Sequence, residues 1–500
     1  MIVALLALGI VSCAELLLWW TPLWRWRRVA APCLLAGIAI TTVALLAAQS
    51  ALWTALVAVF SAYRCVNLGR VAANRIQADF LFHTSWQSYW WLVSFQLLTV
   101  TIAAASRHYE LTSSQWQMAG AAGTLGCAIG LLGSALRHGR TTKPRPVRRL
   151  TSAELPTLTV AIPARNETTD LEECLESVLT STYPKLEVIV LDDCSQNKRT
   201  PEIIRGFAHS GVRFIAGDEP PQSWLAKNYA YAQLAKAANG EVLLFCGVDT
   251  RFAPDSFTVL VETLLQRHKT MLSVLPRNAA PPRGSGLAAW FMQPNRYAWE
   301  LALPRRLLRR PPVLSTCWLI TRPALQAAGG FAAVRRKGVP ESYLARVTAT
   351  ANDGYSFLQA GTTIGLTSRK VPAEQRATAV RTRYLQLHRR PELVVGVGLA
   401  ELGVLLGPFG LLIAALLEST AALAILAALS VVLNVILYAR LVNLTYRRFV
   451  LKGVWLLPLA VLYDFGLLNY SMWRYEFREV VWKGRNVCIP VMRVITPGSE

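Results

Sequence analysis

An α/β, Rossmann-like domain inserted between N-terminal and C-terminal bundles of transmembrane helices is the fold class this sequence predicts. Three observations carry it. Between Leu158 and Thr250, short apolar runs alternate with helix-patterned stretches, the pattern of a parallel sheet covered by helices. Acidic residues stand at the carboxyl ends of successive runs, where an open α/β sheet binds its ligand. Apolar segments of membrane-spanning length flank the module on both sides.

Composition narrows the class. Hydrophobic residues make up 53% of the 500 residues and charged ones 16%, too apolar for an ordinary soluble chain. The formal net charge is +22, mostly arginine beside apolar runs. That placement favours anionic lipid headgroups over nucleic acid as the partner. The nine cysteines contain no C-x-x-C pair, so they read as small buried hydrophobes rather than a disulfide or zinc framework.

Five apolar segments precede the module, at about 3–20, 30–49, 51–63, 84–105 and 117–136. The first has no basic leader or small-residue cleavage site and reads as an anchor. Arg25, Arg27 and Arg28 follow the first segment, Arg64, Arg70 and Arg75 the third, and Arg137 to Arg149 the fifth, while the other connections are almost uncharged. The positive-inside rule then puts the N-terminus outside and the module in the cytoplasm, in a multi-pass inner-membrane protein. Apolar runs at about 393–417, 419–438 and 454–471 follow. Three crossings would put the tail outside, yet both the 440–452 connection and the tail are basic. A re-entrant or interfacial last segment, the one containing Asp464, removes the conflict. The expected division is therefore a membrane region over 1–139, a linker over 140–156, the soluble module over 157–378, an interfacial basic helix over 379–391, a membrane region over 392–475 and a tail over 476–500.

Within the module, strands are expected at 158–162, 187–191, 212–216, 241–246, 271–275, 313–320 and 362–367. The helix after the first strand sets Leu171, Cys174, Leu175, Val178 and Leu179 on one face, with Asp170 and Glu173 spaced as a capping box. The aromatic and Arg-rich stretches 287–303 and 379–387 suit the headgroup layer.

TVAIPARNE, VIVLDDCS, Trp224-Leu225-Ala226-Lys227-Asn228, the GVDT turn and Gly329-Gly330-Phe331 together resemble a family 2 glycosyltransferase with the GT-A, nucleotide-diphospho-sugar transferase fold. AAGGFAAVR, the Arg381-to-Leu387 stretch and Trp482-Lys483-Gly484-Arg485 bring it nearest to the hopene-associated and lipid-modifying membrane glycosyltransferases. The resemblance covers 157–390 and part of the C-terminal membrane region; none of its motifs identifies the sugar or the acceptor.

The resemblance implies roles residue by residue. The loop Pro163, Ala164, Arg165 and Glu167, with Asp193, would hold the base and ribose, a carboxylate being suited to accept from N–H and hydroxyl groups. The bland alternative for Asp193 is a turn residue, and Asp192 could serve either way. Lys227 matches the lysine that reaches the diphosphate, where an ammonium offsets leaving-group charge; alone it would be a solvated helix residue. Asp249 matches the second acid of D-x-D, the ligand of Mg²⁺ or Mn²⁺, but Gly247 replaces the first acid. Aligning Leu344-Ala345-Arg346 on the family's L-A-R triplet puts Pro340 over one acid and Glu341 over the catalytic base. Arg381, Arg383, Tyr384 and Gln386 fall where relatives place groups facing diphosphate and acceptor; a juxtamembrane basic stripe binding headgroups is the equal alternative.

The implied activity is inverting transfer of a sugar from a nucleotide-sugar to a lipid or lipid-linked acceptor at the cytoplasmic membrane face, with a divalent cation. A processive polysaccharide synthase is less favoured because the full Q-x-x-R-W cluster is absent. Gly247 and Pro340 motivate an inactive GT-A-fold scaffold as the other-class alternative. A transporter is disfavoured by the scarcity of charges within the apolar segments.

Overall fold

The structure, a computed structural model, describes residues 112–144, 147–221, 223–279, 301–302, 311–351, 353–387, 389, 391–446, 456–476 and 480–488, with isolated positions between 33 and 43. The first four expected apolar segments, and the 287–303 stretch except its last positions, lie outside the described residues.

The module is built on a seven-stranded sheet. Its strands are β1 (Leu158–Ala164), β2 (Leu186–Asp192), β3 (Val212–Ala216), β4 (Val242–Cys246), β6 (Met271–Leu275), β8 (Cys317–Thr321) and β9 (Tyr355–Gln359). The lateral order is β3-β2-β1-β4-β8-β6-β9, with β8 antiparallel to both neighbours and every other pair parallel. This is a GT-A-like mixed sheet. The chain runs outward from β1 to β3, then returns to β4 on the other side of β1, so the sheet's topological switch point lies between β1 and β4.

Alternation within the strands separates two cores. Val160 and Ile162 of β1 join Val188, Val190, Leu244 and Cys246 on one face, against Leu171, Cys174 and Leu175 of helix α1 (Thr169–Leu179). Ala161, Ile189, Leu243 and Phe245 face the other way, toward Tyr231 and Leu234 of α2 (Ala226–Ala237) and Leu344 and Ala345 of α3 (Pro340–Thr350). Buried on both sides, β1 and β4 have no polar face and read in sequence as unbroken apolar runs. Trp318 of β8 is fully buried in the second core and stacks on Phe245 at 4.5 Å.

Two expectations need correction. The strand beside β6 is Tyr355–Gln359, not 362–367, of which only Thr367 enters a strand, β10 (Thr367–Ser368). Asp170 and Glu173 do not form a capping box. Helix α1 is capped at Thr168 without a side-chain bond, and both carboxylates turn instead to the Arg251 guanidinium, at 3.3 and 3.0 Å. A second, three-stranded sheet sets β10 between β5 (Thr250–Arg251) and β7 (Arg277–Asn278).

Among the described residues, three helices are long and apolar enough to cross a membrane: Ser113–Thr141, Leu393–Leu417 and Ala421–Thr445. The last helix, α4 (Leu457–Glu476), is not one of them and packs on α5 (Pro372–Gln386) through Ser471 and Asp464. Trp318→Ala should empty a fully enclosed site and cost about 3–5 kcal/mol; a clearly lowered thermal midpoint of the purified full chain checks it.

Candidate functional site

The carboxyl ends of β1, β2 and β4 converge at the switch point. After β1 the chain forms the loop with Pro163, Ala164, Arg165 and Glu167; after β2 come Asp192 and Asp193; after β4 comes the turn that carries Asp249. Two non-glycine residues, Asn166 (φ +50°) and Cys194 (φ +52°), hold the left-handed conformation in adjacent loops. Such backbone persists only where its surroundings over-determine it. Here the Asn166 side-chain Oδ1 accepts from the Gln196 backbone N–H at 2.7 Å, and the Asn166 backbone N–H donates to Ser195 Oγ at 2.9 Å. Asp192 takes the turn role: its Oδ1 accepts from the Ser195 amide at 3.1 Å.

Asp193 is buried, and its partner comes from the far end of the chain. A hairpin of β11 (Val481–Trp482) and β12 (Arg485–Asn486), turned at Lys483 (φ +46°) and Gly484 (φ +79°), lies on this loop pair. Positive φ at both central residues is what a two-residue hairpin turn requires. Arg485 donates to Asp193 Oδ1 at 2.7 Å and to Glu219 at 2.9 Å, and Lys483 pairs with Glu167. Arg165 closes the contact, giving its guanidinium to the carbonyls of Asp193, Cys194 and Lys483. Burial pushes the Asp193 carboxyl above the ordinary range, against the pull of Arg485 and Arg165. Glu167 is raised the same way, by burial against Lys483. The charge partners do not fully offset desolvation at either group.

Asp249 is held from three directions. Its Oδ2 accepts from Ser368 Oγ at 2.8 Å and lies 3.7 Å from the Lys370 ammonium, and its carbonyl accepts from the Arg369 amide at 2.8 Å. These contacts follow from the second sheet, whose register sets Thr250 beside Ser368. Burial alone would raise the Asp249 carboxyl; Lys370, Ser368 and Arg251 bring it below the ordinary range. Gly247 has a steric reason: a Cβ there would come within 2.6 Å of Asp249 Oδ1, so glycine lets the carboxylate fold back over its own turn.

Lys227 and Glu341 meet across the second core face. The Lys227 ammonium lies 3.6 Å from Glu341 Oε1 and 5.2 Å from the Tyr231 ring centre. Burial lowers Lys227, Glu341 opposes this, and Arg381 and Lys370 add to the lowering. The two lysines and Arg381 therefore feel one another. Glu341 is buried in the first turn of α3, where Val339 is the cap; among the described residues its Oε2 has no hydrogen-bond partner. A carboxylate oxygen withdrawn from water and unpartnered is costly, and capping does not account for it. Asn228 fixes the pair, donating to the carbonyls of Val334 and Lys337 at 2.7 and 2.8 Å and so tying α2 to the loop that leads into α3.

The Arg381-to-Gln386 cluster divides. Arg381 points to the site side, 4.9 Å over the Trp482 ring. Arg383 is buried in an ion pair with Asp464 of α4, and the buried Tyr384 donates its hydroxyl to the Arg389 carbonyl and its backbone N–H to the Ser471 hydroxyl oxygen at 3.1 Å. Gln386 is buried as well. Arg383 and Tyr384 sit at the α5–α4 interface.

Lys370, Ser368, Asn228 and Glu219 were not singled out from sequence. Trp482 to Arg485 were quoted only as part of a family pattern. A divalent ion was expected at Asp249. The donor set there is one carboxylate, with an ammonium standing 3.7 Å from its outward oxygen, and it fits a resident divalent ion poorly. Among the described residues, no group of three or more His, Cys, Asp or Glu side chains is placed to hold a metal.

Comparison with known proteins gives the class to which this module's sequence is similar. Residues 159–328 match the model of glycosyl transferase family 2. Glycosyltransferase AglE of Haloferax volcanii is 35% identical over 102 residues, 20% of this chain and 32% of that protein. Probable glycosyltransferase YdaM of Bacillus subtilis is 30% identical over 134 residues, 26% of this chain and 31% of that one. The matched stretches thus span about a third of these relatives' length. Among solved structures, mannosyltransferase PcManGT from Pyrobaculum calidifontis, in complex with GDP-Man and Mn²⁺, is similar over 66% of this chain and 99% of its own, at 20% identity and a TM-score of 0.43. TarS 1–349 of S. aureus with UDP-GlcNAc is similar over 64% of this chain and 92% of its own, at 15% identity and a TM-score of 0.31.

Arg485→Ala should strand the buried Asp193 charge and cost about 3 kcal/mol, and Asp193→Asn in the same chain should restore part of it. Thermal unfolding of the three variants checks this; an unchanged single variant would mean that the pair holds nothing in place.

Proposed function

We propose that this chain is a membrane-embedded glycosyltransferase that moves a sugar from a nucleotide-sugar donor to a lipid or lipid-linked acceptor, with inversion, at the cytoplasmic membrane face. The observation that carries the reading is Glu341: a buried carboxylate with one oxygen unpartnered, beside a lysine, on the rim of a sheet whose other loops present Asp193 and Asp249. The family match over 159–328 supports the reaction class.

In this reading the 163–167 loop and Asp193 receive base and ribose, and Lys227 stands at the diphosphate. The acceptor hydroxyl oxygen attacks the anomeric carbon as the bond from that carbon to the diphosphate oxygen breaks. Glu341 takes the hydroxyl proton, and the nucleoside diphosphate departs with the bonding pair. The Lys227 ammonium stands beside the leaving group and offsets its growing negative charge.

The hairpin supports the topology of this reading. The tail touches the module through Lys483 and Arg485, so module and tail share one side of the bilayer and the chain between them crosses an even number of times. Helices Leu393–Leu417 and Ala421–Thr445 make two crossings. Helix α4, bound to α5 by Asp464 and Ser471, then lies at the interface, its exposed Leu459, Leu462 and Trp473 toward lipid. An acceptor carried in the membrane would reach Glu341 by diffusion in the plane.

Glu341→Gln in the purified full chain should lower turnover by ~10²- to 10⁴-fold while leaving nucleotide binding intact. Release of nucleoside diphosphate from a panel of nucleotide-sugars, with membrane lipid extract as acceptor, measures it. Turnover equal to that of the unsubstituted chain would remove Glu341 from the role of base.

A further inference from the structure

Asp249 raises a question the proposed reaction leaves open: where the positive charge facing the donor's diphosphate comes from. A carboxylate whose job is to hold a divalent ion needs its outward oxygen turned to that ion and a second hard ligand near it. Here Gly247 supplies no second carboxylate, Oδ1 lies against the turn, and Oδ2 is taken up by the Ser368 hydroxyl and faced by the Lys370 ammonium.

The placement of Lys370 is built into the fold. Strand β10 pairs with β5 antiparallel and with β7 in parallel, so the chain leaving Ser368 passes directly alongside the Asp249 turn. The Arg369 N–H donates to the Asp249 carbonyl at 2.8 Å, fixing the backbone on either side of the pair. The Lys370 side chain is 25% exposed, and an ammonium has three N–H donors, so one contact with Asp249 leaves donors for a ligand.

Lys370 is not isolated from the rest of the site. Its charge, with that of Arg381, is felt at Lys227. Three cations thus share a region with two carboxylates, Asp249 and Glu341. Cations held close to one another in a desolvated place are an unfavourable arrangement unless an anion completes it. A diphosphate carries the charge to do so.

We infer that Lys370, held in place by Asp249, supplies the fixed positive charge at the donor's diphosphate, so that this chain binds nucleoside diphosphates without a divalent ion. The inference rests on the donor-site reading given above. It assigns Lys370 to direct contact with the diphosphate and makes Asp249 a positioning residue rather than a metal ligand. A side-chain ammonium in this position does what a bound cation does for ground-state binding and for the departing group, with the difference that it is always present and cannot be chelated away.

The test is calorimetric titration of the purified full chain with UDP and with GDP, each in EDTA and in Mn²⁺. Equal affinity in EDTA and Mn²⁺ is the expected result for whichever nucleotide binds. Lys370→Met should weaken that binding ~10- to 100-fold in both conditions, and Lys370→Arg should recover most of it. Because Lys370→Met leaves Asp249 without its cation, the double variant Asp249→Asn with Lys370→Met, which strands no charge, is titrated beside it and should bind as weakly. Asp249→Asn alone should lose affinity while remaining indifferent to Mn²⁺, a readout that a purely structural role for the pair would not produce. Binding that requires Mn²⁺ and survives Lys370→Met would overturn the inference and leave the donor site standing. Undiminished affinity of the double variant in EDTA would overturn it as well. Folded protein that binds neither nucleotide in either condition would overturn both this inference and the donor-site reading.

Discussion

Charge taken out of water is the constraint around which this module is arranged. Four carboxylates at the rim of the sheet, Glu167, Asp193, Asp249 and Glu341, have side chains no more than 15% exposed, and each is faced by a cation: Lys483, Arg485, Lys370 and Lys227. An ionised carboxylate in such a place is tolerated only when paired. No pair is local in sequence. Three of them join a loop on the sheet's carboxyl edge to a segment from another part of the fold, and the fourth, Lys227 with Glu341, joins helices α2 and α3, so the site exists only when those segments have docked. Pairs of this kind contribute little net stability, because desolvation consumes most of their attraction. What they specify is geometry: which loop faces which, and where the remaining positive charge points.

The C-terminal region matters more to the module than its position after the membrane helices suggests. Val480 and Cys488 at the base of the hairpin pack with Tyr384 and Leu468, so one apolar cluster anchors the hairpin to helices α4 and α5 together. Arg383 and Asp464 bind those helices to each other. Movement of α4 or α5 would therefore be transmitted to Arg485 and Lys483, and through them to the loops at β1 and β2.

The parts of the fold legible in sequence were those whose physics is local. Strands β1, β2 and β4 show as apolar runs because both faces are buried, and the carboxylates after them stand out by contrast. Tyr355–Gln359 was missed because an edge strand with Ser356 and Gln359 lacks that signature, while the apolar residues of 362–367, Ile364 and Leu366, belong to the connection before β10 and are buried in the first core. The capping-box spacing of Asp170 and Glu173 was misleading because Arg251, from a different strand, competes for both carboxylates. For Arg383 and Tyr384 the motif left a diphosphate-side role and a headgroup-binding stripe equally open; α4 engages the Arg383 side chain and the Tyr384 backbone. Lys370 and Arg485 could not be read as partners of Asp249 and Asp193. The second of these pairs spans 292 residues, and nothing in the intervening chain announces which cation meets which carboxylate.

The most direct measurement is a structure of the full chain with a nucleoside diphosphate bound. The account predicts the base and ribose at the loops after β1 and β2, beneath the 481–486 hairpin, with diphosphate oxygens within hydrogen-bonding reach of Lys227 and Lys370. A nucleotide seated away from the carboxyl ends of β1, β2 and β4, with the four ion pairs untouched, would contradict it.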